Sequence, residues 1–148
     1  MTSFFPDLNV WLALSDGKST NNKACWKWFR TIAPNDRVLF CRFTQIGLLR
    51  LLSNKAVMGS ETLTLEEAWN AYDCFANDPR IEMRNEPRDI GATFRKMTMH
   101  FRGQSASKMV GDCYLLAYSA TCGATLATFD KGLLELARKL GQAAISPD

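Results

Sequence analysis

Apolar positions along the chain come in two rhythms, short continuous runs and longer stretches with a helical period, and they alternate. Phe4-Phe5 is a brief apolar strand that runs into Pro6-Asp7. Leu8 to Leu14 then reads as a short helix closed by Ser15-Asp16-Gly17. Between about Asn21 and Ile32, the residues Ala24, Trp28 and Ile32 fall at i, i+4 and i+8, which predicts a second helix. Pro34-Asn35-Asp36 turns the chain into Val38-Leu39-Phe40-Cys41, a buried-strand pattern. Thr44 is the expected N-cap of a helix through Leu52, with Ile46, Leu48, Leu49 and Leu52 toward a core. Thr64 and Glu67 match a capping box opening a helix to about Ala76.

The second half repeats the scheme. Ile81 and Met83 alternate within Arg80 to Arg84, as in a short strand near an edge. Asp89 to Phe101 is amphipathic. Ser107 or Ser105 is expected to cap a helix that reaches about Thr121 and stops at Gly123. Ala124 to Phe129 is a strand, Lys131 to Leu140 a helix, and Ala143 to Ser146 a short final strand. Strands alternating with helices in this way predict an α/β fold around a parallel sheet.

At 148 residues the chain fits one domain, residues 1–148, large enough to bury a sizeable core. Apolar residues are 47% and charged residues 22%, which excludes a disordered, collagen-like or coiled-coil chain. A formal charge of +3 permits an anionic partner without arguing for one. The five cysteines include no C-x-x-C pair, so neither a disulfide framework nor a zinc site is expected. The opening MTSFFPDLNVWLAL lacks a basic leader region, and Cys113 to Phe129 falls short of a membrane span. The expected location is the cytoplasm.

Ligands of open parallel sheets bind beyond the carboxyl ends of the strands. Asp7 and Asp130 each follow a strand directly. Either is equally readable as a helix N-cap, Asp130 before Lys131-Gly132-Leu133 in particular. Asp112 is different, because it and Lys108 are the only charges in a helix that is apolar nearly all round. A buried carboxylate pairs, shifts its pKa or binds a metal, and Lys108 one turn earlier is its bland partner. Three carboxylates in one crevice would need a cation, and oxygen-only ligands suit Mg²⁺ or Mn²⁺. His100 is the sole histidine, which weakens any mechanism built on a histidine base. Neither a phosphate-cradling glycine loop nor a G-x-S-x-G elbow occurs.

PDLNVWLAL around Asp7, FTQIGLLRLLSN around Thr44 to Asn54, and GDCYLLAYSATCGATLATFD from Gly111 to Asp130 together resemble a PIN-domain ribonuclease of the VapC toxin type. The likeness runs from Asp7 to Leu140. It implies a three-layer α/β/α sandwich with a short parallel sheet, and Mg²⁺- or Mn²⁺-dependent cleavage of structured RNA, commonly tRNA or rRNA. It also implies a small cognate antitoxin and a homodimer. By the same resemblance Asp7 and Asp112 match the metal ligands and Asp130 matches the acid that orients or deprotonates water. Thr128 bonds to this cluster, and the amide of Asn9 steadies the loop of Asp7. Thr44 and Arg50 enter as supporting or RNA-contacting residues, and Arg42, Lys108 and Lys131 also flank the motifs.

One position departs from the pattern. By the same resemblance Gln45 is a catalytic-site residue standing where many relatives carry a Glu, which leaves three carboxylates rather than four and implies either weaker metal binding or a role in RNA contact. The competing reading is therefore a catalytically weakened module of the same fold that grips RNA or protein without cutting. A phosphotransfer aspartate at the first strand, as in haloacid-dehalogenase-like phosphatases, wants a second Asp where Asn9 stands.

Overall fold

The computed structural model describes residues 1–148. Its strands are β1 (Ser3–Pro6), β2 (Arg37–Phe40), β3 (Ile81–Met83), β4 (Thr125–Ala127) and β5 (Ala144–Ile145). They form one sheet in the order β3-β2-β1-β4-β5, and every neighbouring pair is parallel. The helices are α1 (Leu8–Ser15), α2 (Asn22–Thr31), α3 (Arg42–Leu52), α4 (Lys55–Met58), α5 (Leu65–Ala76), α6 (Ile90–Thr98), α7 (Ser107–Cys122) and α8 (Lys131–Lys139). Single 3-10 turns follow α4 and α6.

Successive side chains of a strand point to opposite faces, and two cores result. Phe4, Val38 and Phe40 pack with α1, α2, α3 and α5, a face that includes Trp11, Phe29, Leu48 and Tyr72. Phe5, Leu39 and Cys41 pack with α6, α7 and α8 through Ile90, Leu116, Tyr118 and Leu133. The sheet is covered on both sides, so its strands are continuous apolar runs. This is the three-layer α/β/α sandwich expected from the sequence.

Strand order places the crevice. The chain moves outward from β1 to β2 and β3, then returns past β1 to β4 and β5. The direction of winding therefore reverses between β1 and β4, and it is beyond such a reversal that open α/β sheets bind their ligands. Gly47 brings α3 close against α1, where a Cβ would lie 2.5 Å from a methyl of Leu8. Gly123, at φ 63°, ends α7 in the left-handed conformation and turns the chain into β4.

Several local expectations are corrected. The N-cap of α3 is Cys41, not Thr44. Thr44 lies at the third helical position, where its hydroxyl accepts from the Cys41 N–H at 3.1 Å and closes a capping box. Neither Ser105 nor Ser107 caps α7, which starts after Ala106 with no side-chain cap. The helix expected over Asp89–Phe101 is α6 followed by a tight 3-10 turn. Helix α4, only four residues long, has too few positions to show a periodic pattern and went unforeseen.

Candidate functional site

Asp7 leaves the end of β1 and caps α1. Its Oδ1 accepts from the backbone N–H groups of Asn9 at 2.9 Å and Val10 at 3.2 Å. The helix thus holds the carboxylate by the donors that its own first turn leaves unpaired. The other oxygen, Oδ2, accepts a hydrogen bond from the Thr128 hydroxyl. Sheet register explains that meeting. Phe4, Phe5 and Pro6 pair with Thr125, Leu126 and Ala127, so the next residues, Asp7 and Thr128, come level.

Thr128 serves both strand ends. Its Oγ1 also accepts from the Asp130 N–H at 3.0 Å, and Asp130 caps α8 by accepting from the Leu133 N–H at 3.1 Å. The N-cap readings of Asp7 and Asp130 are therefore correct as structure, and they do not compete with a role in chemistry. Capping with one oxygen leaves lone pairs on the other.

Electrostatics tie the third acid to these two. Asp7 is only 4% exposed, and burial raises its pKa above the ordinary carboxylate value. The Thr128, Val10 and Asn9 hydrogen bonds pull the other way, and the negative charge of Asp130 adds a further rise. Asp112, half-buried on α7, is also raised by burial and then by Asp130, with Lys108 offsetting in part. Asp130 is thus close enough to act on both partners. Asp112 and Lys108 form no ion pair within 4.0 Å, so Lys108 acts on Asp112 through its charge and not by direct contact.

One expectation is corrected here. The three carboxylates do not form a ready-made cage, for no group of three or more His, Cys, Asp or Glu side chains is drawn together to hold a metal ion. The donor set still suits Mg²⁺, which is bound by one or two carboxylates and completes its shell with water and phosphate oxygens. Asp112 and Asp130 together line a cleft of about 310 Å³ whose rim carries Lys108 and Lys139. Asp130 also borders a second hollow of about 500 Å³ with Asn9 and Asp16.

Among the remaining candidates, Asn9 contributes its backbone N–H to Asp7, whereas its side chain is exposed. Thr44 is fully buried and serves the α3 cap. Arg50 lies exposed in the last turn of α3, away from the strand ends, and pairs with no acid. Gln45 is 5% exposed, and its Oε1 accepts from the Arg42 guanidinium. That link escaped the sequence reading, although its i, i+3 spacing at the start of a helix is the signal that reveals it.

Comparison with known proteins gives a consistent picture. The chain is 40% identical over 128 residues to ribonuclease VapC41 of Mycobacterium tuberculosis, covering 84% of this chain and 86% of that one. Among solved structures, VapBC2 of Rickettsia felis bound to a promoter DNA fragment superposes with a TM-score of 0.73. It is 12% identical and covers 98% of each chain. VapC20 of M. tuberculosis, a toxin that cleaves the sarcin–ricin loop, superposes with a TM-score of 0.66 at 13% identity. It covers 89% of this chain and 93% of its own. No family model matches the chain.

Proposed function

The chain belongs to the VapC family of ribonucleases, and from that premise we propose that its acid crevice hydrolyses RNA phosphodiester bonds with Mg²⁺ or Mn²⁺. The observation that carries the reading is the position of Asp130, joined to Asp7 through the Thr128 hydroxyl and sharing a cleft with Asp112, at the reversal between β1 and β4. Three acids within electrostatic reach, without a paired lysine or arginine, are a site built for an external cation.

Asp7 and Asp112 are the residues that would hold the cation. The chemistry it supplies when bound is activation of a water and neutralisation of charge on the transferring phosphate. The protein's own contribution is position. The Asn9 and Val10 N–H groups and the Thr128 hydroxyl fix the Asp7 carboxylate in one orientation. Asp130 borders the cleft with an oxygen free of its cap and accepts a proton from the attacking water. Lys108 and Lys139 on the cleft rim meet the backbone phosphates of the RNA.

The substrate class is structured RNA such as tRNA or rRNA, in line with a fold neighbour that cleaves the sarcin–ricin loop. The partner is a small antitoxin, as in the VapBC assemblies that share the fold. The protein acts as one domain and as a homodimer in the cytoplasm, and no helix is long and apolar enough to cross a membrane. The test is cleavage of a labelled tRNA pool and of ribosomal RNA in Mg²⁺, in Mn²⁺ and in chelator. Cleavage restored by either metal and lost in chelator supports the reading. RNA binding without cleavage in any buffer would leave only the non-cutting module.

A further inference from the structure

Arg42 opens α3 directly beyond the end of β2, beside the strand that carries Asp7. The register Ser3 with Arg37 and Phe4 with Val38, carried to the strand ends, sets Cys41 level with Asp7. The Arg42 side chain is exposed, yet it is not loose, because its guanidinium donates to Oε1 of buried Gln45. Gln45 also neighbours the hydroxyl of Tyr72 on α5, and its influence holds that phenol down against the upward push of burial. Tyr72 is 8% exposed and packs edge-on against Phe40, with ring centroids 5.0 Å apart. An exposed cation is thus held by a buried amide.

What the anchor lacks is charge. Arg80 and Arg84 are held by Asp78 and Glu82, and each pair is electrically neutral. Arg42 makes no ion pair at all. A Glu at residue 45 would orient the guanidinium equally well and cancel it. A Gln orients it and leaves the full positive charge facing outward, where a planar fork of N–H donors suits a phosphate.

We propose that Gln45 is a positioning residue that presents the un-neutralised guanidinium of Arg42 to a backbone phosphate of the RNA substrate. The inference rests on the ribonuclease reading of the neighbouring acids, and it removes Gln45 from the metal shell. The departure from four carboxylates then marks a change of task, from gripping the cation to gripping the nucleic acid.

The test uses a fluorescein-labelled RNA stem-loop. Binding is followed by anisotropy in chelator across a salt series, and cleavage kinetics are measured in Mg²⁺. Arg42→Gln should weaken binding and lower the slope of log affinity against log salt by about 0.7–1, one phosphate contact. It should raise KM by a larger factor than it lowers kcat. Gln45→Glu should reproduce that loss of slope by neutralising Arg42, and adding Arg42→Gln to it should cost nothing further. Arg42→Lys keeps the charge and should keep the slope while losing affinity.

Should Gln45→Glu fail to fold, the Arg42 variants still decide. An Arg42→Gln protein with the parental affinity and slope overturns the proposal. So does a Gln45→Glu protein that binds RNA as before and binds Mg²⁺ more tightly. A wild-type protein that neither binds nor cuts the stem-loop, tRNA or rRNA fails at the earlier step, and the ribonuclease reading falls first.

Discussion

The hydroxyl of Thr128 donates to the carboxylate of Asp7 across the seam between β1 and β4, joining residues 121 apart in the chain. The same oxygen accepts from the Asp130 N–H. One side chain therefore sets the spacing of two acids, and neither acid moves without the other's strand end.

Replacing Thr128 tests that bridge. Thr128→Val keeps the shape and removes both hydrogen bonds, leaving a buried carboxylate oxygen without its donor. The expected cost is about 1–3 kcal/mol, read as a lower melting midpoint in chelator. Thr128→Ser should recover most of it. Equal stability of the Val variant and the wild type would show that the bridge carries no weight.

Asp7→Asn should abolish RNA cleavage while the fold survives. The amide keeps an oxygen for the Asn9 and Val10 N–H groups and removes a charge that burial disfavours. Metal-free stability should hold or rise slightly. Circular dichroism melts alongside a cleavage assay check both halves, and cleavage at the parental rate would remove Asp7 from catalysis.

The raised pKa values of Asp7 and Asp112 fix the sign of a pH effect. Below the ordinary value of 3.8 both the folded and the unfolded chain are protonated there, and no penalty exists. As pH rises past it, the unfolded chain releases its protons first, so these two groups lose stability up to their raised folded values. Asp78 and Glu82 are lowered by their arginines and work oppositely, gaining stability over the acidic range. The difference in melting temperature between Asp7→Asn and wild type in chelator should therefore grow with pH above 3.8 and then level off. A pH-independent difference would contradict the burial argument.

Excess Mg²⁺ should stabilise the fold by mass action, by about 2.7 kcal/mol at a hundredfold excess over Kd, read as a higher melting midpoint. The rise should shrink in Asp112→Asn and at acidic pH, where the carboxylates hold protons. An identical metal response in Asp112→Asn would place the cation elsewhere.

The acids were legible because each breaks a local rule. Asp7 and Asp130 sit at strand ends, and Asp112 is a charge in an apolar helix. The alternating runs gave all five strands and seven of the eight helices, because two-sided burial makes a parallel strand apolar throughout. The cap of α3 was missed since cysteine is a poor cap in isolation, and Thr44 wins by bonding backward from the third position. The spacing of the acids was also out of reach, for sequence assigns residues to strand ends and a helix without fixing the distances between their side chains.

Strand order has a consequence for the birth of the protein. β1 is made well before its sheet neighbour β4, with β2, β3 and seven helices synthesised between them and Thr128 and Asp130 following β4. A ribosome-bound chain that has completed everything through α7 still has an open edge beside Asp7, which lacks its hydroxyl donor and its partner acid. Pairing across so long a separation is slow and late in folding. A nascent chain halted before β4 therefore lacks the Thr128 bridge and Asp130, and the acid crevice is assembled only after that strand has been made.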